Sequence, residues 1–300
     1  MRQAAVQQMA EVFMDMAANL PLRFNCKLAD FLGRVWFHLD RRHRQIALSN
    51  LKIARGEELS ENERRAIARR NFIHLAQVLL ELPYLRKLTP DDLDGYVAFH
   101  GVEHFERALK KGRGVLLLAS HFGNWELMAL AFSLRYRPVH IVVRPLDNLF
   151  LDTQIAKIRT RGGNQLIPKK GSVQKMLRLL KAGDAVALLL DQNPVWDEGV
   201  FVPFFNEIAC TNKVLSIIAL RTGAPVIPVF NLRQPDGTYR VFFEPEIVLS
   251  TSGDTTRDVE ENTAKYNRII ETYVRSHPEQ WFWVHRRWKT RPYKPWPREM

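Results

Sequence analysis

The chain has 300 residues, of which 46% are hydrophobic and 25% are charged. This composition is typical of a globular protein and excludes disordered, collagen-like and low-complexity chains. Lysine and arginine (44) outnumber aspartate and glutamate (32), so the formal net charge is +12. The positive excess predicts an anionic partner, which can be nucleic acid, an acidic lipid surface or an acidic protein. The length allows one large domain or two small ones.

The two cysteines, Cys26 and Cys210, are far apart and belong to no C-x-x-C or Cys/His cluster. They predict neither a disulfide framework nor a zinc site, and they favour a reducing compartment. No stretch of about 18 consecutive apolar residues is present. Polar residues also interrupt the N-terminal segment where a signal peptide is apolar. We therefore expect neither secretion nor a membrane-spanning helix.

Amphipathic helices are predicted at the start of the chain. Residues 4–20 carry apolar side chains on one stripe, and Pro21 ends that helix. A second helix begins near Lys27 and leads into the basic run 41–44. Its apolar face comprises Leu28, Phe31, Leu32, Val35, Trp36 and Leu39. Such a face suits a membrane interface and equally suits packing against the rest of the protein.

A third helix is predicted from Ser60, an N-cap with Glu63 in capping-box spacing, to the residues before Thr89. Beyond it, short apolar runs alternate with helical segments. These runs are residues 114–119, 139–143, 185–190 and 226–230, with a further strand over 239–243. The alternation predicts an α/β fold with a mostly parallel sheet. We expect residues 1–90 to be a membrane-docking helical appendage on an α/β domain formed by residues 91–300.

The most informative segment runs from Leu116 to Glu126, where a buried strand ends at His121 and a helix begins near Asn124. Residues five apart on one helix are rotated by about 140°. His121 and Glu126 therefore face each other only if His121 lies on the turn before the helix, which Gly123 allows. A carboxylate there can orient the imidazole, whose other nitrogen can then remove a proton from a hydroxyl.

Chance alone yields about one histidine followed five positions later by an acid, since 9 histidines and 32 acids share 300 positions. The spacing therefore carries no weight by itself. The position of His121 at the carboxyl end of a strand is informative, because catalytic groups gather there in α/β sheets. The residues alone leave open both catalysis and a simple hydrogen bond at a helix start.

Residues 121–126 resemble the H-x4-D/E signature of glycerolipid-type acyltransferases. Further blocks narrow the resemblance to the lipid A biosynthesis acyltransferases, also called late or Kdo2-lipid acyltransferases. These blocks are Arg144–Asn148, Leu189–Gln192, Gly199–Phe205, Gly223–Pro228 and Pro278–Pro292, together with residues 41–51. The resemblance spans nearly the whole chain. It implies a glycerolipid-acyltransferase-like α/β fold in which residues 91–300 are the catalytic domain.

The resemblance further implies transfer of a fatty acyl group from acyl carrier protein to a hydroxyl of a Kdo2-lipid A precursor. On this basis His121 is the general base, Glu126 is its orienting partner, and the hydroxyl attacks the thioester directly. Arg159 matches a family arginine that can stabilise the oxyanion, with Arg161 as its competitor. Asp191 matches a family acid that can order that arginine or the acceptor.

Four further residues are candidates for substrate binding, each with a structural alternative. Arg144 follows a strand and can bind a phosphate or stay solvated. Asn124 and Asn193 can bind substrate or serve as a helix cap and a loop residue. Phe204 can line an acyl channel or pack in the core. No metal or organic cofactor is expected, because a thioester is already activated and no ligand cluster is visible.

Residues 281–300 interleave basic side chains with four tryptophans. This pattern suits an anionic lipid surface and also suits nucleic acid. No nucleic-acid-binding signature is visible, so we expect no nucleic-acid partner. The resemblance implies a location at the cytoplasmic face of the inner membrane, and the amphipathic helices predict peripheral or monotopic attachment there. The alternatives are an acyltransferase for another glycolipid or phospholipid, and a non-catalytic basic protein that binds membranes or nucleic acid.

Overall fold

The computed structural model describes residue 18, residues 22–205 and residues 207–292. The helix predicted over 4–20 therefore lies outside the described residues, apart from residue 18. Three described helices precede the sheet: α1 (Leu22–Leu39), α2 (Arg41–Arg55) and α3 (Glu61–Leu85). Ser60 and Glu63 form the predicted capping box at the start of α3.

The rest of the described chain alternates strands with helices. The strands are β1 (Val97–His100), β2 (Val115–Ala119), β3 (His140–Val143), β4 (Gln165–Pro168), β5 (Ala185–Leu189), β6 (Gly199–Phe204), β7 (Glu207–Asn212), β8 (Val226–Arg233) and β9 (Tyr239–Phe243). The helices are α4 (Val102–Leu109), α5 (Trp125–Arg135), α6 (Leu149–Thr160), α7 (Ser172–Lys181), α8 (Val214–Thr222) and α9 (Thr255–Ser276). Short 3-10 turns lie at Asp91–Leu93, Trp196–Glu198 and Pro278–Gln280.

Seven strands form one sheet in the order β1-β9-β8-β2-β5-β3-β4. Every neighbouring pair is parallel except β8 and β9, which confirms the predicted mostly parallel α/β fold. Strands β6 and β7 form a separate antiparallel hairpin. Because β2 and β5 are parallel neighbours, their carboxyl ends meet at one edge of the sheet. The Leu190 N–H donates to the Ala119 carbonyl at 3.0 Å and continues that pairing into the following loops.

Strand β2 is buried along its whole length and contributes to a core on each face of the sheet. Its alternate residues belong to different clusters, with Leu116 and Leu118 on one face and Leu117 on the other. Phe37 of α1 and Phe72 of α3 belong to the same cluster as Leu116. The described N-terminal helices therefore share a core with the sheet.

Helix α1 has two apolar faces. The face packed on α3 consists of small or buried residues, and a Cβ on Gly33 would lie only 2.4 Å from the Ile73 Cα. Most of the face predicted from the sequence points away from the protein. The exposed members are Phe31 (63%), Leu32 (40%), Val35 (37%) and Leu39 (77%). Among the described residues, no helix is long and apolar enough to cross a membrane.

Polar side chains of α2 and α3 hold the turn after β2 and the C-terminal segment. Asn50 donates hydrogen bonds to the carbonyls of Trp283 (2.7 Å) and His285 (2.6 Å). His74 Nε2 lies 3.2 Å from the Gly123 carbonyl. Because a carbonyl only accepts hydrogen bonds, His74 must carry its proton on Nε2.

Gly123 itself tolerates no side chain. Its φ is +62°, and a Cβ there would lie 1.7 Å from the Asn231 carbonyl oxygen. The glycine thus lets the chain turn sharply from β2 into α5 while it passes against β8.

Two histidines in this frame are held neutral. Burial lowers the pKa of His74 and of His285 to about 4. His285 Nε2 accepts a hydrogen bond from the Asn193 N–H at 2.8 Å, which protonation of that nitrogen would remove.

We predict that acid destabilises the fold through these histidines. The unfolded chain binds their protons below about pH 6.5, whereas the folded chain binds them only near pH 4. The free energy of unfolding should therefore fall, as pH decreases through this window, by about 1.4 kcal/mol per pH unit for each histidine. Denaturant titrations from pH 7 to pH 4 measure this slope.

His74→Gln retains a donor for the Gly123 carbonyl and removes one titrating group, so its slope should be lower by about 1.4 kcal/mol per pH unit. His38→Gln, at an exposed position of α1, is the control and should keep the wild-type slope. A wild-type slope in His74→Gln would contradict the assignment.

Candidate functional site

His121 and Asp191 meet at the carboxyl edge of the sheet, on the loops that follow β2 and β5. His121 Nδ1 lies 2.8 Å from Asp191 Oδ1, and the His121 backbone N–H donates to Asp191 Oδ2 at 2.9 Å. Trp281 Nε1 donates to the same Oδ2 at 2.7 Å. The Asp191 side chain is 1% exposed and that of His121 is 19% exposed. The pair therefore has a buried acid and a histidine that reaches the surface.

This geometry fixes the tautomer of the imidazole. An ionised carboxylate only accepts hydrogen bonds, so His121 carries its proton on Nδ1 and its lone pair on Nε2. Burial opposes ionisation of Asp191, but the electrostatic attraction to the His121 ring and the donated hydrogen bonds prevail and lower the pKa of Asp191. The ring is enclosed by Trp125 and Phe282, with ring centroids at 5.1 and 5.8 Å. His121 thus presents Nε2 as an oriented base.

The expected pairing of His121 with Glu126 is not the arrangement that the structure adopts. Glu126 lies in the first turn of α5 and forms a two-pronged ion pair with Arg159, Nε–Oε2 at 2.7 Å and Nη2–Oε1 at 2.6 Å. The reason is topological: Asp191 follows the strand next to β2 and occupies Nδ1, whereas Glu126 faces the end of α6. Burial opposes the charge of Arg159, but Glu126 outweighs it and raises the pKa of Arg159.

The structure also separates the two candidate arginines. Arg161 Nη1 donates to the carbonyls of Leu85 (3.1 Å) and Leu88, at the end of α3. Arg159, on the last turn of α6, is the one that contacts Glu126. Arg161 therefore secures a helix end, and Arg159 is the arginine next to the α5 carboxylate.

Two of the four substrate-binding candidates are occupied by structural contacts. Asn124 is fully buried; its Oδ1 accepts from the Leu127 N–H at 3.0 Å and its Nδ2 donates to Glu81 at 2.8 Å. Asn193 donates to Thr290 Oγ1 at 2.9 Å and accepts from the Thr290 N–H at 3.1 Å. The first asparagine caps α5, and the second fastens the C-terminal segment to the loop after Asp191.

The other two candidates lie at opposite extremes of exposure. Phe204 is buried in the core, where its ring stacks on Trp288 with centroids 5.7 Å apart. The segment that ends at Phe204 forms β6. The Arg144 side chain is 76% exposed and lies 3.5 Å from Asp147, on the loop after β3. Of the four, Arg144 alone is freely accessible.

The sequence interpretation missed Glu81, a buried carboxylate on α3. It accepts hydrogen bonds from Asn124 Nδ2 and from the hydroxyl of Tyr239, and Arg233 Nε lies 3.5 Å away. Burial raises the pKa of Glu81 above its usual range despite these partners. The network ties α3, β8 and β9 to the start of α5, which carries Glu126. The feature of the sequence that could have indicated Glu81 is a single acid within an otherwise apolar stretch of α3.

Across the described ranges, no group of three or more His, Cys, Asp or Glu side chains is arranged to hold a metal ion.

The chain matches a protein family over residues 3–290, and the family is described as bacterial lipid A biosynthesis acyltransferase. It is similar to the lipid A biosynthesis lauroyltransferase of Escherichia coli (strain K12), with 29% identity over 279 residues, 92% of this chain and 89% of the relative. The palmitoleoyltransferase of the same organism is 29% identical over 277 residues, 91% of this chain and 88% of the relative. The myristoyltransferase is 24% identical over 286 residues, 92% and 86%.

These matches confirm the resemblance that the sequence blocks carried. Since the family match covers nearly the whole chain, this protein belongs to the bacterial lipid A biosynthesis acyltransferase family and is an acyltransferase.

Proposed function

We propose that this protein transfers a fatty acyl chain from an acyl carrier protein thioester to a hydroxyl of a Kdo2-lipid A precursor. The observation that carries the proposal is the His121–Asp191 pair, which leaves the lone pair on Nε2, 3.4 Å from the Gln192 side-chain amide, in a side chain that is 19% exposed. The names of the relatives, lipid A biosynthesis lauroyl-, palmitoleoyl- and myristoyltransferase, support an acyl donor and a lipid A acceptor.

In the proposed reaction His121 Nε2 removes the proton of the acceptor hydroxyl as its oxygen attacks the thioester carbonyl. Asp191 stabilises the resulting imidazolium through Nδ1. The tetrahedral intermediate then collapses, the C–S bond breaks, and the departing thiolate takes the proton from Nε2. The products are the ester and the free thiol of the carrier. No covalent acyl-enzyme is needed.

Arg159 is the proposed partner of the oxyanion. Its Nε and Nη2 bind Glu126, and its Nη1 has no hydrogen-bond partner among the described residues. A guanidinium held by two hydrogen bonds keeps a fixed direction, so Nη1 can donate to the charge that develops on the carbonyl oxygen. Glu126 is thus a positioning residue for Arg159.

We predict that His121→Ala and His121→Gln lower the transfer rate by about 10²–10⁴-fold, because they remove the general base. The assay is mass spectrometry of a Kdo2-lipid A precursor incubated with acyl carrier protein thioesters of mixed chain length. The wild type should add the mass of one acyl group. His100→Ala, at an exposed position on β1, is the matched control and should retain activity.

Transfer at the wild-type rate by folded His121 variants would contradict the mechanism. A folded wild type that acylates only a lysophospholipid or another glycolipid would contradict the proposed acceptor. Sequence-dependent nucleic-acid binding without any transfer would favour the non-catalytic alternative.

We also propose that α1 attaches the protein to the cytoplasmic face of the inner membrane as a peripheral or monotopic protein. Phe31 and Leu39 are 63% and 77% exposed on the same face of α1. A contiguous exposed apolar face of this kind marks an interaction site. The arginines that follow on α2 add attraction to anionic headgroups. The N-terminal helices thus serve as the proposed membrane-docking region.

We predict that Phe31→Asp/Leu39→Asp lowers partitioning onto anionic vesicles by at least about tenfold, since each side chain contributes about 1.5 kcal/mol or more when buried. Vesicle co-sedimentation measures the effect. Ile217→Asp/Val248→Asp changes two exposed apolar residues elsewhere and is the control. Equal losses in both double variants would contradict the role of α1. Resistance to alkaline carbonate extraction like an integral protein would contradict peripheral attachment.

A further inference from the structure

A basic groove lies between α2 and the C-terminal segment 286–291. Its cavity has a volume of about 410 Å³, within the range of small-ligand pockets. Its walls carry Arg42, Gln45 and Ser49 from α2 and Arg286, Lys289 and Arg291 from the segment. We use the name basic groove for the space between these six residues.

Buried side chains and hydrogen bonds hold the C-terminal wall of the basic groove in place. Arg287 and Trp288 are buried, and Arg287 donates to the Cys210 carbonyl and to Thr211 Oγ1. Thr290 is fastened by its two hydrogen bonds with Asn193. Lys289 lies between these anchors, Arg286 and Arg291 flank them, and all three side chains are exposed. The cationic side chains therefore extend from a fixed backbone, which reduces the entropy lost on binding.

The charge of the basic groove is uncompensated. Among the described residues, no aspartate or glutamate lines it. Within residues 22–205 and 207–292, none of Arg42, Arg286, Lys289 and Arg291 has an ion-pair partner. Four like charges around one cavity favour a compact anion with more than one charge. Arginine forks match phosphate geometry, and the Ser49 hydroxyl and Gln45 amide add further donors.

Each wall of the basic groove is close along the chain to another feature, the α2 wall to the apolar face of α1 and the C-terminal wall to the His121 site. Arg42 follows exposed Leu39 by three residues, a span of at most about 11 Å. On the other wall, Arg286 follows Phe282 by four residues, at most about 14 Å, and the Phe282 ring centroid is 5.8 Å from that of His121. A molecule whose acyl chains lie along α1 can therefore extend a charged headgroup into the groove.

We propose that the basic groove binds a phosphate group of the membrane-borne acceptor lipid and so directs its hydroxyl toward His121. The inference rests on the proposed function. The alternative occupant of the groove is the acidic surface of a carrier protein. The compact volume and the closeness of the exposed α1 face favour a lipid phosphate.

Equilibrium binding tests the proposal independently of catalysis. The probes are phosphatidylcholine vesicles that carry the phosphorylated precursor, the same precursor after phosphatase treatment, or phosphatidylglycerol. The groove variant is Arg286→Gln/Lys289→Gln. The control, Arg178→Gln/Lys181→Gln, removes equal charge from exposed positions of α7, outside the groove and apart from the arginines of α2.

The groove variant should bind the phosphorylated precursor at least about tenfold more weakly than the wild type, because each cation contributes about 1 kcal/mol. The control should bind like the wild type. On the dephosphorylated precursor and on phosphatidylglycerol all three proteins should bind alike. Equal behaviour of the groove variant and the control on the phosphorylated precursor overturns the proposal, and so does an equal loss on phosphatidylglycerol.

Kinetics separate the two possible occupants. In the groove variant kcat/KM for the phosphorylated acceptor should fall at least about tenfold while the KM for the acyl carrier protein thioester stays unchanged. A rise in the donor KM instead assigns the groove to the carrier protein and overturns the proposal. If the wild type transfers no acyl chain, the proposed function fails, and phosphate-dependent vesicle binding still decides the occupant of the groove.

Discussion

The contact on which the site depends is the hydrogen-bonded pair of His121 and Asp191 across two neighbouring parallel strands. It needs the carboxyl ends of β2 and β5 at one sheet edge, a turn that only a glycine at position 123 allows, and Trp281 as a donor behind the carboxylate. The hydrogen bonds from α2 and α3 to this turn and to the C-terminal segment explain why the N-terminal helices share the core of the sheet. The position of His121 therefore depends on the strands, the N-terminal helices and the C-terminal segment together.

The ion pair of Glu126 and Arg159 is a second charged pair and has a different role. Glu126 binds Arg159 through two hydrogen bonds, and the buried carboxylate of Glu81 secures the helix start that carries Glu126 through the amide of Asn124. Asp191 and Glu126 therefore bind different cationic or polar partners. In the mechanism that we propose, Asp191 orients the base His121 and Glu126 orients Arg159 as the oxyanion donor.

Local patterns predicted β2, β3, β5, β8 and β9 and the capped start of α3, since apolar runs and the Ser60–Glu63 capping box are encoded within a few residues. They did not predict β1, β4, β6 and β7. They placed His121 correctly at a strand end. They could not identify its partner, because β3 and β4 come between β2 and β5 in the chain while β5 lies beside β2 in the sheet. Strand order depends on long-range packing. Likewise, Phe204 and Asn193 look like substrate contacts in sequence and are fixed inside the fold by residues far along the chain.

The most direct test of this account is ¹⁵N NMR of the His121 side chain in the wild type, Asp191→Asn and Glu126→Gln. The account predicts that the wild type carries its proton on Nδ1, that Asp191→Asn changes the tautomer, and that Glu126→Gln leaves the His121 resonances unchanged. The reverse pattern, in which Glu126→Gln alters the tautomer and Asp191→Asn does not, would contradict the assignment of Asp191 as the residue that orients the base.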